Sequence, residues 1–179
     1  MTSWSEPTSG PTTKKRTSTT RSEPRVALAL GGNLGPVEDH FDRALGVLGA
    51  HLSEIRMAPI YRTTAVSAVA QPDYLNSALV ARSPLDAESL LALCQAIERS
   101  VGRRRSERWG PRPLDLDLLW FGERISARPE ILLPHPLLAE RRFVLQPLAD
   151  LIPDEPVPPA GRTVRELLAR LPADAIERI

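Results

Sequence analysis

Lysine is almost absent from this chain: of its 179 residues two are lysine, Lys14 and Lys15, and both precede position 25. Every later cation is therefore an arginine or a histidine. That excludes from the rest of the chain a Walker A lysine, a Schiff-base lysine and the strand lysine of protein kinases. Phosphate binding, where it occurs, falls to planar arginine forks and metal ions. Cysteine occurs once, which excludes an intramolecular disulfide and a cysteine-rich zinc site. Cys94 itself sits at a helical core spacing and reads as a small buried hydrophobe. No apolar run is long enough to span a membrane, and the first residues lack the apolar centre of a secretory signal. A charge imbalance is missing too: the formal net charge is +1, so bulk electrostatics do not predict a nucleic-acid protein. The expectation is a cytoplasmic, monomeric protein with neither nucleic acid nor membrane as partner.

Residues 1–24 hold twelve Ser or Thr and three Pro. They cannot bury enough apolar surface to offset their ordering entropy, so a disordered tail is expected there, with one folded domain over 25–179. Once the tail is set aside, 19 basic and 20 acidic residues remain. The apolar run 25–31, ended by Gly31-Gly32-Asn33, predicts a buried strand and turn. Val37, Phe41, Leu45 and Leu48 then recur at helical spacing, with Pro36 in the first turn. Residues 54–62 and 74–82 read as strands joined by a loop over 63–73. Asp86 is placed to cap a second helix whose stripe is Leu90, Leu93 or Cys94, Ile97 and Val101, with Gly102 as its stop. A strand over 114–121 follows. The order β-α-β-β-α-β predicts an α+β, ferredoxin-like core. Additional C-terminal elements follow: a short strand at 130–133, a proline-rich loop at 153–162, and a last helix announced by Thr163 and Glu166 at capping-box spacing.

The richest stretch for chemistry runs from Arg108-Trp109-Gly110-Pro111-Arg112 into Asp115-Leu116-Asp117. On a strand, residues i and i+2 share a face, so both carboxylates project together, their Cα atoms roughly 6.6 Å apart at about 3.3 Å per residue. Alone, such a pair is more often the wet face of an edge strand. Five arginines, Arg103, Arg104, Arg105, Arg108 and Arg112, crowd the ten residues 103–112 just upstream, more than a helix C-terminus needs. A polyphosphate with Mg²⁺ answers both sets. Gln95 and Glu98 lie at i and i+3 on the second helix, a spacing that by itself is more often a solvated face. Tyr61-Arg62-Thr63-Thr64 and Tyr74-Leu75-Asn76 combine a ring with hydroxyl or amide groups, as a flat heterocycle would require, although strand aromatics are more often core. His135 stands between two prolines that fix its backbone. An RNA-binding ferredoxin-like module and a Mg²⁺-dependent phosphohydrolase are the competing readings.

These motifs, with Gln71-Pro72-Asp73 and Glu140-Arg141-Arg142-Phe143-Val144-Leu145, stand in an order and spacing that resembles the 6-hydroxymethyl-7,8-dihydropterin pyrophosphokinase family from about Val26 to Asp154. The resemblance implies transfer of the β,γ-diphosphate of ATP to the pterin hydroxymethyl group, giving AMP, in tetrahydrofolate biosynthesis. It implies two Mg²⁺ ions on Asp115 and Asp117, with Arg103 and Arg112 as further catalytic residues. It implies a pterin site of Thr63, Thr64, Val66 and Asn76 with Tyr74 and Phe143 stacking. It brings Gln95, Glu98, Arg103, Arg105, Trp109, Arg112, Leu118, His135 and Arg141 to ATP. The arginine loop is one residue shorter than in the enterobacterial form, which leaves Arg104 and Arg105 as alternatives. Glu130 and Leu132 depart from that form and carry no contact, and Pro113 follows Arg112 where a threonine can occur.

Overall fold

Arg25–Gly32 (β1) is buried on both sides, which explains its unbroken apolar sequence. The computed structural model describes residues 22–65, 70–103, 110–173 and 175–179. The elements after β1 are α1 (Val37–Gly49), β2 (Ser53–Met57), β3 (Tyr61–Thr63), β4 (Tyr74–Arg82), α2 (Ala87–Ser100) and β5 (Asp115–Phe121). The hairpin β6 (Ser126–Arg128) and β7 (Ile131–Leu133) and a 3-10 turn (Leu138–Glu140) follow. The chain then forms α3 (Arg142–Leu151), β8 (Pro156–Val157), β9 (Arg162–Thr163), α4 (Val164–Leu168) and β10 (Ile176–Arg178). The main sheet is antiparallel in the order β10-β3-β4-β1-β5, with β2 also on β4. This is the ferredoxin-like core with added C-terminal elements.

Alternation along β1 assigns the two faces. Val26, Leu28 and Leu30 pack with Phe41 and Leu48 of α1 and Leu90, Cys94 and Ile97 of α2. Ala27 and Ala29 pack with Val144, Leu145 and Leu148 of α3 and Val164 and Leu167 of α4. The sheet is therefore covered by α1 and α2 on one side and by α3 and α4 on the other. Among the described residues no helix is long and apolar enough to cross a membrane.

The predicted helix signals act as expected. Asp86 accepts the Ser89 N–H at 2.7 Å, Gly102 takes φ +88°, and Thr163 and Glu166 form a reciprocal capping box. Pro36 differs by one position, occupying the N-cap of α1. The strand expected over 54–62 is two strands, because Pro59 has no N–H to continue the ladder; Ala58 still donates to Ala78 O at 2.9 Å before the chain re-pairs as β3. The short strand begins at Ile131, pairing with β6, and the proline-rich loop holds the two-residue strands β8 and β9. Glu23 and Pro24, counted with the tail by composition, take part in the fold: Arg82 donates to Glu23 O at 2.8 Å and Ser83 N–H to Pro24 O at 3.1 Å. Residues 1–21 lie outside the described residues.

Two measurements check this core. Leu90→Ala, at a fully buried position, is expected to lower the unfolding free energy by about 2–5 kcal/mol in urea titration. Burial pushes the Cys94 thiol up to about 12, so a thiol reagent should label it only once the protein unfolds; labelling of the native protein at neutral pH would contradict this placement.

Candidate active site

Alternation along β5 puts Leu116 and Leu118 into the core and leaves Asp115 and Asp117 together on the α3 side. Opposite-residue pairing continues that surface across the sheet. Tyr61 pairs with Asn76, Asn76 with Gly31, and Gly31 with Asp115, so four residues of four strands share one row. Directly opposite residues of an antiparallel pair face the same side. Gly31 brings no side chain, so the space between the Asn76 amide and the Asp115 carboxylate, roughly 10 Å across two strand spacings, stays open.

Arginines hold the carboxylates from three directions. Arg103, one residue past Gly102, donates to Asp115 Oδ1 at 2.6 Å, and Arg112 donates to Asp115 Oδ2 at 2.7 Å. Arg141, at the start of α3, reaches Asp117 Oδ2 at 3.3 Å, with His135 Nε2 at 3.9 Å from the same oxygen. The His135 Nδ1 accepts the Leu137 N–H at 3.2 Å, which puts the imidazole proton on Nε2, facing Asp117. Burial, then the neighbouring Asp115, raises the Asp117 carboxyl above the usual range, against His135 and Arg141. Burial lowers His135 despite Asp117. Burial opposes the charge of Arg103 too, but Asp115 and Glu98 outweigh it and raise its pKa.

Glu98 is 7 % exposed and lies beneath this cluster. Its Oε1 accepts the Leu116 N–H at 2.8 Å, between the two aspartates, and it also pairs with Arg103. Burial pushes its carboxyl up to about 7, against the Leu116 bond and the Arg103 charge. Glu98 is thus a buttress under Arg103, while Gln95, one turn earlier, is exposed. Leu118 is buried on the opposite face of the sheet, among α1 and α2, so its side chain does not join the cluster.

On the other side of Gly31, Asn76 Nδ2 donates to Thr63 Oγ1 at 2.9 Å. Thr63 pairs in register with Tyr74, whose ring is half-buried; Thr64 is exposed. The Phe143 ring, on α3, is exposed and has the Arg141 guanidinium 5.8 Å from its centroid. Tyr61 OH donates to Asp150 Oδ2 at 2.6 Å, tying β3 to α3. Val66, Arg104, Arg105, Arg108 and Trp109 lie outside the described residues. The sequence reading assigned no role to Gly31 or Asn33; their motif was visible, but their use depends on strand register.

The sheet thus sets the Asn76 amide and the Tyr74 ring beside an arginine-held carboxylate pair. The 7,8-dihydro-6-hydroxymethylpterin-pyrophosphokinase (HPPK) family model matches residues 27–153, and the chain belongs to that family. A 2-amino-4-hydroxy-6-hydroxymethyldihydropteridine pyrophosphokinase of Pseudomonas aeruginosa is 41 % identical over 158 residues, covering 87 % of this chain and 96 % of that protein. The Synechocystis protein of the same name is 39 % identical, covering 84 % and 78 %. Among solved structures, a Plasmodium falciparum HPPK-DHPS triple mutant is similar in fold at TM-score 0.65 and 14 % identity, over 86 % of this chain. This chain spans 45 % of that one.

The position of Glu98 sets a pH dependence. Its folded-state pKa, about 7, lies above its ordinary 4.5. Between those values the folded protein keeps a proton that the unfolded chain releases, so stability falls as pH rises through the window. Relative to Glu98→Gln, the wild type should lose about 1–3 kcal/mol between pH 4.5 and 8 in urea unfolding. Parallel pH profiles of the two proteins would contradict this environment.

Proposed function

We propose that this chain moves the β,γ-diphosphate of ATP onto the hydroxymethyl group of 6-hydroxymethyl-7,8-dihydropterin, releasing AMP, with two Mg²⁺ ions held at Asp115 and Asp117. Its family and its relatives' names support the pyrophosphokinase step of folate biosynthesis. The observation that carries the reading is the sheet row in which only Gly31 separates Asn76 from Asp115. An acceptor held at Asn76 and a phosphate chain held at Asp115 meet above a residue with no side chain.

The donor set suits a hard cation. Two carboxylates share one face, and the raised Asp117 carboxyl reports burial and mutual repulsion that a divalent ion would relieve. Mg²⁺ bound there supplies charge neutralisation between neighbouring phosphates. The protein's own groups do the rest. Thr63 and Asn76 hold the edge of the pterin, and Tyr74 and Phe143 its faces. Arg103 and Arg112, both on Asp115 in this structure, turn their remaining N–H donors to phosphate oxygens as charge shifts toward the departing AMP. Arg141 and His135 approach the phosphates from the Asp117 side. Leu114, Leu116 and Leu118, buried beneath, keep the strand under the carboxylates rigid.

Product analysis with ATP, Mg²⁺ and the reduced hydroxymethylpterin tests the reading: AMP should form in step with a pterin diphosphate. ADP, or phosphate released without pterin, would contradict it. Asp115→Ala and Asp117→Ala should each cut turnover by about 10²-fold or more while the protein remains folded; near-normal turnover in either removes the metal assignment.

A further inference from the structure

The motif Gly31-Gly32-Asn33 ends β1 and leads out of it, yet the reaction above draws only on its first residue. Asn33 is 4 % exposed, and both ends of its side-chain amide are engaged. Its Oδ1 accepts the Arg112 N–H at 2.9 Å, and its own N–H donates to the Arg112 carbonyl at 2.9 Å. Its Nδ2 donates to Gln71 Oε1 at 3.1 Å and to the Pro72 carbonyl at 3.2 Å. An N–H donor on one side and a backbone carbonyl on the other fix which way the amide points. Two segments far apart in sequence thus meet on one buried side chain.

Each segment leads into one half of the site. Gln71 and Pro72 run into Tyr74 and Asn76, and Arg112 runs into Asp115. The neighbours of Asn33 secure the second segment further. A Cβ on Gly32 would stand 2.5 Å from the Pro113 carbonyl oxygen, so the 112–113 backbone can approach only because residue 32 is glycine. His40 Nδ1 lies 3.0 Å from the same carbonyl and donates to it. The Tyr74 hydroxyl, 3.5 Å from both Gln71 Oε1 and Gly110 O, spans the same two segments from the pterin side.

We propose that Asn33 is a positioning residue that sets segment 71–76, which carries the acceptor pocket, against segment 112–115, which carries the phosphate-binding cluster. The inference rests on the pyrophosphokinase reading. The chemistry requires asparagine: aspartate has no donor for Pro72 O, and serine is too short to reach both sides. Asn33→Asp keeps the acceptor toward Arg112 and sets a carboxylate oxygen against the Pro72 carbonyl, whereas Asn33→Ala removes both side-chain links and leaves only the backbone bond to the Arg112 carbonyl.

Initial rates with ATP and the hydroxymethylpterin varied separately should show a split. Asn33→Asp should raise the pterin KM about tenfold with the ATP KM within about twofold, and Asn33→Ala should raise both. Amide hydrogen exchange without substrates gives a readout independent of turnover: the Arg112 amide stays protected in Asn33→Asp and exchanges faster in Asn33→Ala. If the alanine variant does not fold, the aspartate variant decides through its KM split and the Arg112 exchange. Wild-type KM values in Asn33→Asp, equal rises in both KM values in that variant, or wild-type Arg112 protection in a folded Asn33→Ala overturn the proposal. A wild-type protein that forms no AMP with the pterin overturns the reaction instead, and the exchange data then decide Asn33 alone.

Discussion

The site depends on one electrostatic constraint, two carboxylates two residues apart on a strand face that the protein largely closes to water. Like charges so placed repel, and burial adds to the cost of ionising them. The raised carboxyl of Asp117 records both effects. Compensation comes from parts of the chain that meet only in the folded protein: Arg103 after α2, Arg112 before β5, His135 after the β6-β7 hairpin, and Arg141 before α3. The cluster therefore needs α2 and α3 to dock on the same end of β5. Half-buried ion pairs of this kind contribute little net stability, since desolvation offsets much of the attraction. In the proposed reaction they provide guanidinium donors beside the place where phosphate oxygens would sit.

Glu98 shows how the constraint propagates into the fold. Among the described residues β5 pairs with one strand, β1, and the Leu116 N–H turns from the sheet to a side chain of α2. Glu98 supplies the acceptor and at the same time takes the Arg103 side chain, while its carbonyl takes the Arg103 N–H at 3.1 Å. One residue at the end of α2 thus sets the strand's outer edge and the arginine above it. Its raised carboxyl is the cost of doing this away from water.

How much of this was legible in the sequence follows from how local each signal is. The first strand, both long helices and the Asp115–Asp117 pair have periods of 2 or 3.6 and were read directly, as were Asp86 and Gly102 at the ends of α2. The break at Pro59 was also local, but the apolar character of 54–62 ran across it. Helix α3 was not foreseen, because Pro147 stands within it and its stability comes from packing on the second face of the sheet. Strand β10 is three residues long and exists through pairing with β3, more than a hundred positions away. In the site, residue types were legible and partners were not. That Glu98 lies under Arg103, that Leu118 faces the other way, and that Asn33 joins two loops all depend on register between distant segments.

The sequence of β1 ties the fold to the site in a way that neither shows alone. On the side facing α1 and α2 its residues are Val26, Leu28 and Leu30; on the other they are Ala27, Ala29 and Gly31. The small stripe lets α3 pack closely against the sheet over Ala27 and Ala29, where a larger side chain would push the helix out. Beyond the cover of α3 the stripe ends at Gly31, which is half-buried and flanked by Asn76 and Asp115. A larger residue at 31 would stand between acceptor and donor, just as one at 29 would displace α3 and, with it, Arg141 and Phe143. The same run of small residues therefore serves as a packing surface at one end and, in the proposed reaction, as the floor of the site at the other. Asn33, two residues on, keeps the flanking segments at the edges of that floor.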